Sequence, residues 1–83
     1  VFEMSVEVKV DRTIDARGSF CPGPLMELIR AIREAQVGEV IEVLSSDSGS
    51  KRDIPKWCQK AGHELLAVID DEGFAHFVVR KMR

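Results

Sequence analysis

The sequence predicts an α/β (α+β) fold: a two-layer sandwich with two helices on one face of a four-stranded mixed sheet, in the order β-α-β-α-β-β. Three observations predict it. Two segments with apolar residues at three- and four-residue spacing alternate with short runs rich in β-branched residues. The last two runs are separated only by Asp70-Asp71-Glu72-Gly73, so they form a hairpin. A chain of 83 residues makes one domain, residues 1–83, and is too short to clothe both faces of a sheet with helices.

Each element has a local cause. Val6-Glu7-Val8-Lys9-Val10 alternates apolar and charged residues, the period of a half-buried strand, within an extended N-terminal segment 1–10. That strand can run on to Ile14 or Asp15, and Gly18 then marks a turn. From Pro22, Leu25, Leu28, Ile29, Ile32 and Ala35 recur on one helical face, while Glu27, Arg30, Arg33 and Glu34 occupy the other. Gly38 fits the helix stop. Val40-Ile41-Glu42-Val43-Leu44 is the second strand, and Ser45 to Ser50 is a loop rich in turn and capping residues. The second helix carries Ile54, Trp57, Cys58 and Ala61 on one stripe and ends at Gly62. The start of this helix is ambiguous in the sequence: Ser50 and Asp53 have capping-box spacing, with Asp in place of the usual Glu, while Pro55 has no N–H to donate, which allows regular helix to begin only near Asp53. Glu64 to Ile69 and Ala75 to Val79 are the closing strands.

Composition narrows the function. The chain is 45% hydrophobic and 31% charged with net charge −2, which argues against a nucleic-acid binder dominated by phosphate contacts. No apolar run approaches the roughly 20 residues of a membrane span. The N-terminal stretch lacks the charged and apolar regions of a signal peptide. Cys21 and Cys58 are the two cysteines, and their spacing makes neither a disulfide framework, a Cys-x-x-Cys pair nor a zinc ligand set. The expected location is therefore a reducing cytoplasm.

The chemistry centres on Cys21-Pro22-Gly23-Pro24. Proline is favoured at the first helical position, where its missing N–H costs nothing. That reading puts Cys21 at the N-cap, where unpaired backbone N–H groups and the helix dipole favour a negative charge. A thiol there ionises more readily, and the thiolate is the nucleophile. Pro22 and Pro24 fix the start of the helix, and Gly23 leaves space over the sulfur. Cys58, on the apolar stripe, reads as a core thiol; a role as resolving partner would require approach within disulfide range. His63 and His76 are isolated in sequence and suggest no metal site.

These segments resemble the TusA/SirA-like family of small sulfur-carrier proteins. The resemblance runs from about Thr13 to Arg80. It rests on Asp15-Ala16-Arg17-Gly18, Cys21-Pro22-Gly23-Pro24-Leu25-Met26, Gly38-Glu39-Val40, Ser50-Lys51-Arg52-Asp53-Ile54-Pro55, Gly62-His63-Glu64-Leu65 and Val79-Arg80-Lys81. It implies that Cys21 carries sulfane sulfur as a persulfide, with no separate cofactor and no metal. The donor it implies is a cysteine desulfurase or a rhodanese-type protein. The acceptor is another protein, serving transfer-RNA thiolation, molybdenum cofactor or sulfur oxidation. Ser46-Asp47-Ser48 departs from the family's usual Asp-Asp-Pro, and Phe2 to Val10 is longer than the family minimum.

Arg17, Lys51 and Arg52 are candidate anion or partner contacts forming a basic rim, and Asp47 is a further candidate partner contact. The competing reading is a redox-sensing or regulatory interaction module without sulfur transfer. A thiol peroxidase would need groups that polarise a peroxide, and the sequence shows no such set. The expected particle is a monomer or weak dimer, acting as a sulfurtransferase that depends on partner proteins.

Overall fold

The computed structural model describes residues 9–19 and 23–83. The elements are β1 (Arg12–Asp15), α1 (Gly23–Glu34), β2 (Val40–Ser45), α2 (Ser50–Ala61), β3 (Glu64–Asp71) and β4 (Phe74–Arg80). They form one four-stranded sheet in the order β1-β2-β4-β3. β1 pairs with β2 in parallel, and β4 runs antiparallel to both β2 and β3. β1, β2 and β3 therefore point the same way, and their C-terminal ends lie at one end of the sheet.

Alternation along the strands assigns the faces, because directly paired residues share a side. Ile41 pairs with Val79, Val43 with Phe77 and Ser45 with Ala75. The apolar members of this set are buried with Leu28, Ala31, Ile32 and Ala35 of the first helical segment and Ile54 and Cys58 of α2. Both helices thus cover the same face. Ile14, Leu25, Trp57 and Leu65 pack around this core, partly buried. The helix-free face carries Thr13, Glu42, Leu44, His76 and Val78 by the same alternation. A register shift between Leu65 and Ala67 in β3 brings Ala67 opposite Val78, on that helix-free face.

Several boundaries differ from the sequence expectation. β1 occupies only the far end of the extended stretch, since Lys9 and Val10 are outside regular strand and Val6 to Val8 lie outside the described residues. α1 stops at Glu34. Gly38, at φ 97°, instead serves the turn into β2, where its N–H donates to the Lys81 carbonyl at 2.7 Å. The β3–β4 hairpin is tighter than Asp70 to Gly73: the strands reach Asp71 and Phe74, leaving Glu72 and Gly73 as the turn.

α2 begins at Ser50, not near Asp53, and the expected capping box is absent. Its N-cap is Gly49, with no side-chain cap bond. The Ser50 hydroxyl is turned inward and shares a 2.8 Å hydrogen bond with the Ser45 hydroxyl, both buried. The first turn is closed by short-span bonds, Ser50 N–H to Asp47 O at 3.1 Å and Lys51 N–H to Ser48 O at 3.2 Å. Pro55 falls in the second turn, so it deletes only the bond that residue 55 would give to Lys51. At the other end Gly62, at φ 82°, and His63 both donate to the Cys58 carbonyl, the stop that the sequence predicts.

Phe77 is fully buried at the centre of the core, and Ile54 is its fully buried counterpart on α2. Replacing Phe77 with Ala is expected to cost about 3–5 kcal/mol and Ile54 with Val about 0.5–1.5 kcal/mol. Urea unfolding monitored by circular dichroism reads both; equal, negligible shifts of the midpoint would contradict this packing.

Candidate functional site

The candidate site lies where the chain passes from β1 into α1. The Ala16 N–H continues the β1–β2 ladder by donating to Leu44 O at 2.9 Å, and Ala16 is buried. Asp15 then turns back on its own backbone, its Oδ1 accepting the Arg17 N–H at 3.1 Å. Gly18 follows at φ 87°, a conformation that favours glycine, and its N–H donates to the Ser46 hydroxyl at 3.0 Å. The β1–α1 turn is thereby tied to the β2–α2 loop. Ser46, one of the residues that departs from the family pattern, makes that tie.

Phe20, Cys21 and Pro22 lie outside the described residues, so the expected N-cap position of Cys21 and first-turn position of Pro22 do too. Their flanks are described. A Cβ built on Gly23 would stand 3.2 Å from the Ser19 Cβ, so glycine lets the two sides of the segment approach closely. Pro24, the second residue of α1, is fully buried. The first turn of α1 carries no acidic residue, so no carboxylate of that turn offsets the positive end of the helix.

The expected basic rim carries its own counter-charges. Arg17 grips Asp15 through two bonds, Nε to Oδ1 at 2.9 Å and Nη2 to Oδ2 at 2.8 Å, and its guanidinium lies 4.8 Å from the centre of the Phe74 ring. This pairing holds the Asp15 carboxyl down to about 2 and pushes the Arg17 pKa up. Lys51 pairs with Asp70 across the loop ends, and Arg52 lies 3.4 Å from Asp53. Asp47 sits with Lys51, Asp70 and Phe74 around an open cavity of about 380 Å³ at the same end of the sheet. The structure thus brings Arg17, Asp47 and Lys51 to the end from which α1 departs, and leaves Arg52 on the exposed side of α2.

Cys58 is 1% exposed in the core, and burial pushes its thiol up to about 11. It is a protonated core thiol, the plainer of the two readings its sequence position allows.

A cluster invisible in the linear sequence lies on the helix-free face. His76 Nδ1 is 2.9 Å from Glu42 Oε2, and His76 Nε2 is 3.2 Å from Asp71 Oδ2. Glu42 also accepts from the Thr13 hydroxyl at 3.1 Å, and the Phe74 and His76 rings lie 5.1 Å apart. Asp71 and Glu42, in that order, raise the His76 pKa above 6.5. His63 shows the opposite: burial first, then Lys81 and Arg83, lower its pKa, and its Nδ1 accepts the Met82 N–H at 3.1 Å. Among the described residues no group of three or more His, Cys, Asp or Glu side chains is arranged to hold a metal ion.

The fold and site define a class: a small two-layer α/β protein whose parallel β1-α1-β2 unit carries a Cys-Pro-x-Pro sequence between β1 and the body of α1. Comparison with known proteins is specific. The family model described as Sulfurtransferase TusA matches residues 12–81. A relative from Archaeoglobus fulgidus is 56% identical over 70 residues, covering 84% of this chain and 96% of its own. The Sulfur carrier protein TusA of Pseudomonas syringae is 42% identical over 72 residues, covering 87% of this chain and 86% of its own. The crystal structure of a SirA-like protein from Desulfitobacterium hafniense superposes with a TM-score of 0.76 at 26% identity, over 87% of this chain and 99% of that one. The chain belongs to the TusA family.

The His76 cluster gives a pH dependence with a definite sign. A histidine whose folded pKa is raised contributes stability that is full below the unfolded value, near 6.5, and is lost as pH rises through the folded value. Wild type is therefore expected to lose stability relative to His76→Gln as the pH is raised above 6.5. Urea midpoints of the two proteins across that range are the check, and parallel profiles would refute the linkage.

Proposed function

We propose that this protein is a sulfur carrier that relays sulfane sulfur as a persulfide on Cys21, acting as a partner-dependent sulfurtransferase. The observation that carries the reading is the state of the other cysteine. The chain has two, and Cys58 is buried and held protonated in the core. Thiol chemistry then falls to Cys21, two positions in sequence before Gly23, the first described residue of α1, whose first turn has no carboxylate. The relatives named sulfur carriers share this chain's length closely, which supports the same role for it.

The reaction is a thiol–persulfide exchange. The Cys21 thiolate attacks the terminal sulfur of a donor protein's persulfide. The donor S–S bond breaks, its cysteine leaves as thiolate, and Cys21 holds the new S–S bond. An acceptor thiolate then attacks the terminal sulfur of Cys21 and regenerates its thiolate. No net electron is gained or lost, so the whole of residues 1–83 serves as one carrier domain that needs no resident cofactor. The donor is a cysteine desulfurase or a rhodanese-type protein, and the acceptor is a further protein of a cytoplasmic sulfur relay. Among the described residues no helix is long and apolar enough to cross a membrane.

Intact mass after incubation with polysulfide tests the chemistry. Wild type and Cys58→Ser are expected to gain one reducible sulfur atom, and Cys21→Ala none. A disulfide-linked dimer as the only product, with no persulfide, would replace this reading with redox sensing.

A further inference from the structure

Beside the start of α1 lies a groove that the carrier chemistry does not use. It has a volume of about 220 Å³ and is lined by Leu25 of α1 and by Asp53, Lys56, Trp57 and Lys60 of α2. The four α2 residues follow one helical stripe, at i, i+3, i+4 and i+7. Its floor is Leu25 and Trp57, both only partly buried although they pack on the core. Leu25 is the third residue of α1, four positions after Cys21. The Trp57 ring also contacts the His63 ring, with centroids 5.4 Å apart.

The rim is polarised. Asp53 stands at one end with Arg52 beside it at 3.4 Å. The other end carries Lys56 and Lys60, both exposed, and neither forms an ion pair among the described residues. The loop-end cations Arg17 and Lys51, by contrast, hold carboxylates. An apolar slot with a cationic lower rim is complementary to a segment bearing an apolar anchor followed by carboxylates.

We propose that this groove is the docking site for an acidic–apolar segment of the sulfur-donor protein. The apolar side chain seats between Leu25 and Trp57, and the carboxylates pair with Lys56 and Lys60. Docking there holds the donor protein beside the start of α1, at a segment that follows Cys21 by four positions in sequence. The assignment rests on the carrier reading above and adds to it the chemistry by which the donor is recognised.

Full-length wild type, Lys56→Gln/Lys60→Gln and Lys56→Glu/Lys60→Glu are loaded by three donors: polysulfide, a cysteine desulfurase charged with L-cysteine, and a rhodanese charged with thiosulfate. Circular dichroism and the emission of Trp57, the sole tryptophan, verify folding. Loading from polysulfide is expected to be unchanged. Loading from at least one protein donor should fall about tenfold with the Glu pair and less with the Gln pair, and its salt dependence should flatten. Undiminished loading from both proteins would overturn the assignment and leave the carrier reading intact. If those rates are undiminished while wild type alone dimerises or binds phosphatidylserine vesicles, the groove serves a second copy or a membrane instead. Failure of wild type to load from any donor would overturn the carrier reading and this assignment with it.

Discussion

Because β2 is bonded to β1 on one side and to β4 on the other, its register decides which side chains meet the helices and where both loops leave the sheet. With Val43 opposite Phe77 and Ile41 opposite Val79, four large apolar residues share one face and create the surface on which α1 and α2 pack. A one-residue slip of β2 would turn Glu42 toward that core and away from His76, burying a carboxylate without its partner. The same register places Ser45 at the end of the apolar row, within reach of Ser50. That buried hydroxyl pair anchors the first turn of α2, where a conventional side-chain cap is missing. From Leu44 and Ser46, two bonds then hold the β1–α1 turn. The position from which α1 departs is thus a consequence of sheet register.

Features that depend on one segment at a time are legible in the sequence. The helical stripes, the β-branched runs, the stop at Gly62 and the core position of Cys58 all follow from local periodicity and backbone chemistry, and the structure has them. What escaped detection depends on pairing between distant segments. Glu42 and His76 are 34 residues apart and become neighbours only through the β2–β4 ladder. The capping box at Ser50 and Asp53 is a sound local pattern, but a hydroxyl five residues upstream competes for Ser50 once the loop closes. Pro55 misled for a related reason: proline's missing donor is costly mid-helix, yet one lost bond near the start is tolerated when the loop ahead closes with short-span bonds.

The candidate basic rim shows how charge depends on tertiary placement. Arg17, Lys51 and Arg52 look alike in sequence as cations near a reactive cysteine. In the fold, Arg17 is committed to Asp15 and to the Phe74 ring, Lys51 bridges to the β3–β4 turn, and Arg52 faces solvent beside Asp53. Arg17 and Lys51 fasten loops together at the end of the sheet. Such exposed pairs contribute little stability each, but they fix loop geometry around the start of α1. Loop placement, rather than an open cationic field, is what they supply.

A carrier sulfur must satisfy two opposed demands. It has to be nucleophilic enough to take sulfur from one protein and, once persulfidated, exposed enough to yield it to another. A self-contained catalyst would surround its cysteine with a base or a resolving thiol. This fold invests its second thiol in the core, where a pKa near 11 makes it inert, and engages His63 and His76 with the C-terminal backbone and with carboxylates. The described groups on either side of residues 20–22 are a braced loop and the first turn of α1. With so little local chemistry, selectivity between donors must come from surfaces that recognise whole proteins. A cationic apolar groove beside the start of α1, lined by Leu25 four positions after Cys21 in sequence, is the kind of surface on which such recognition can act.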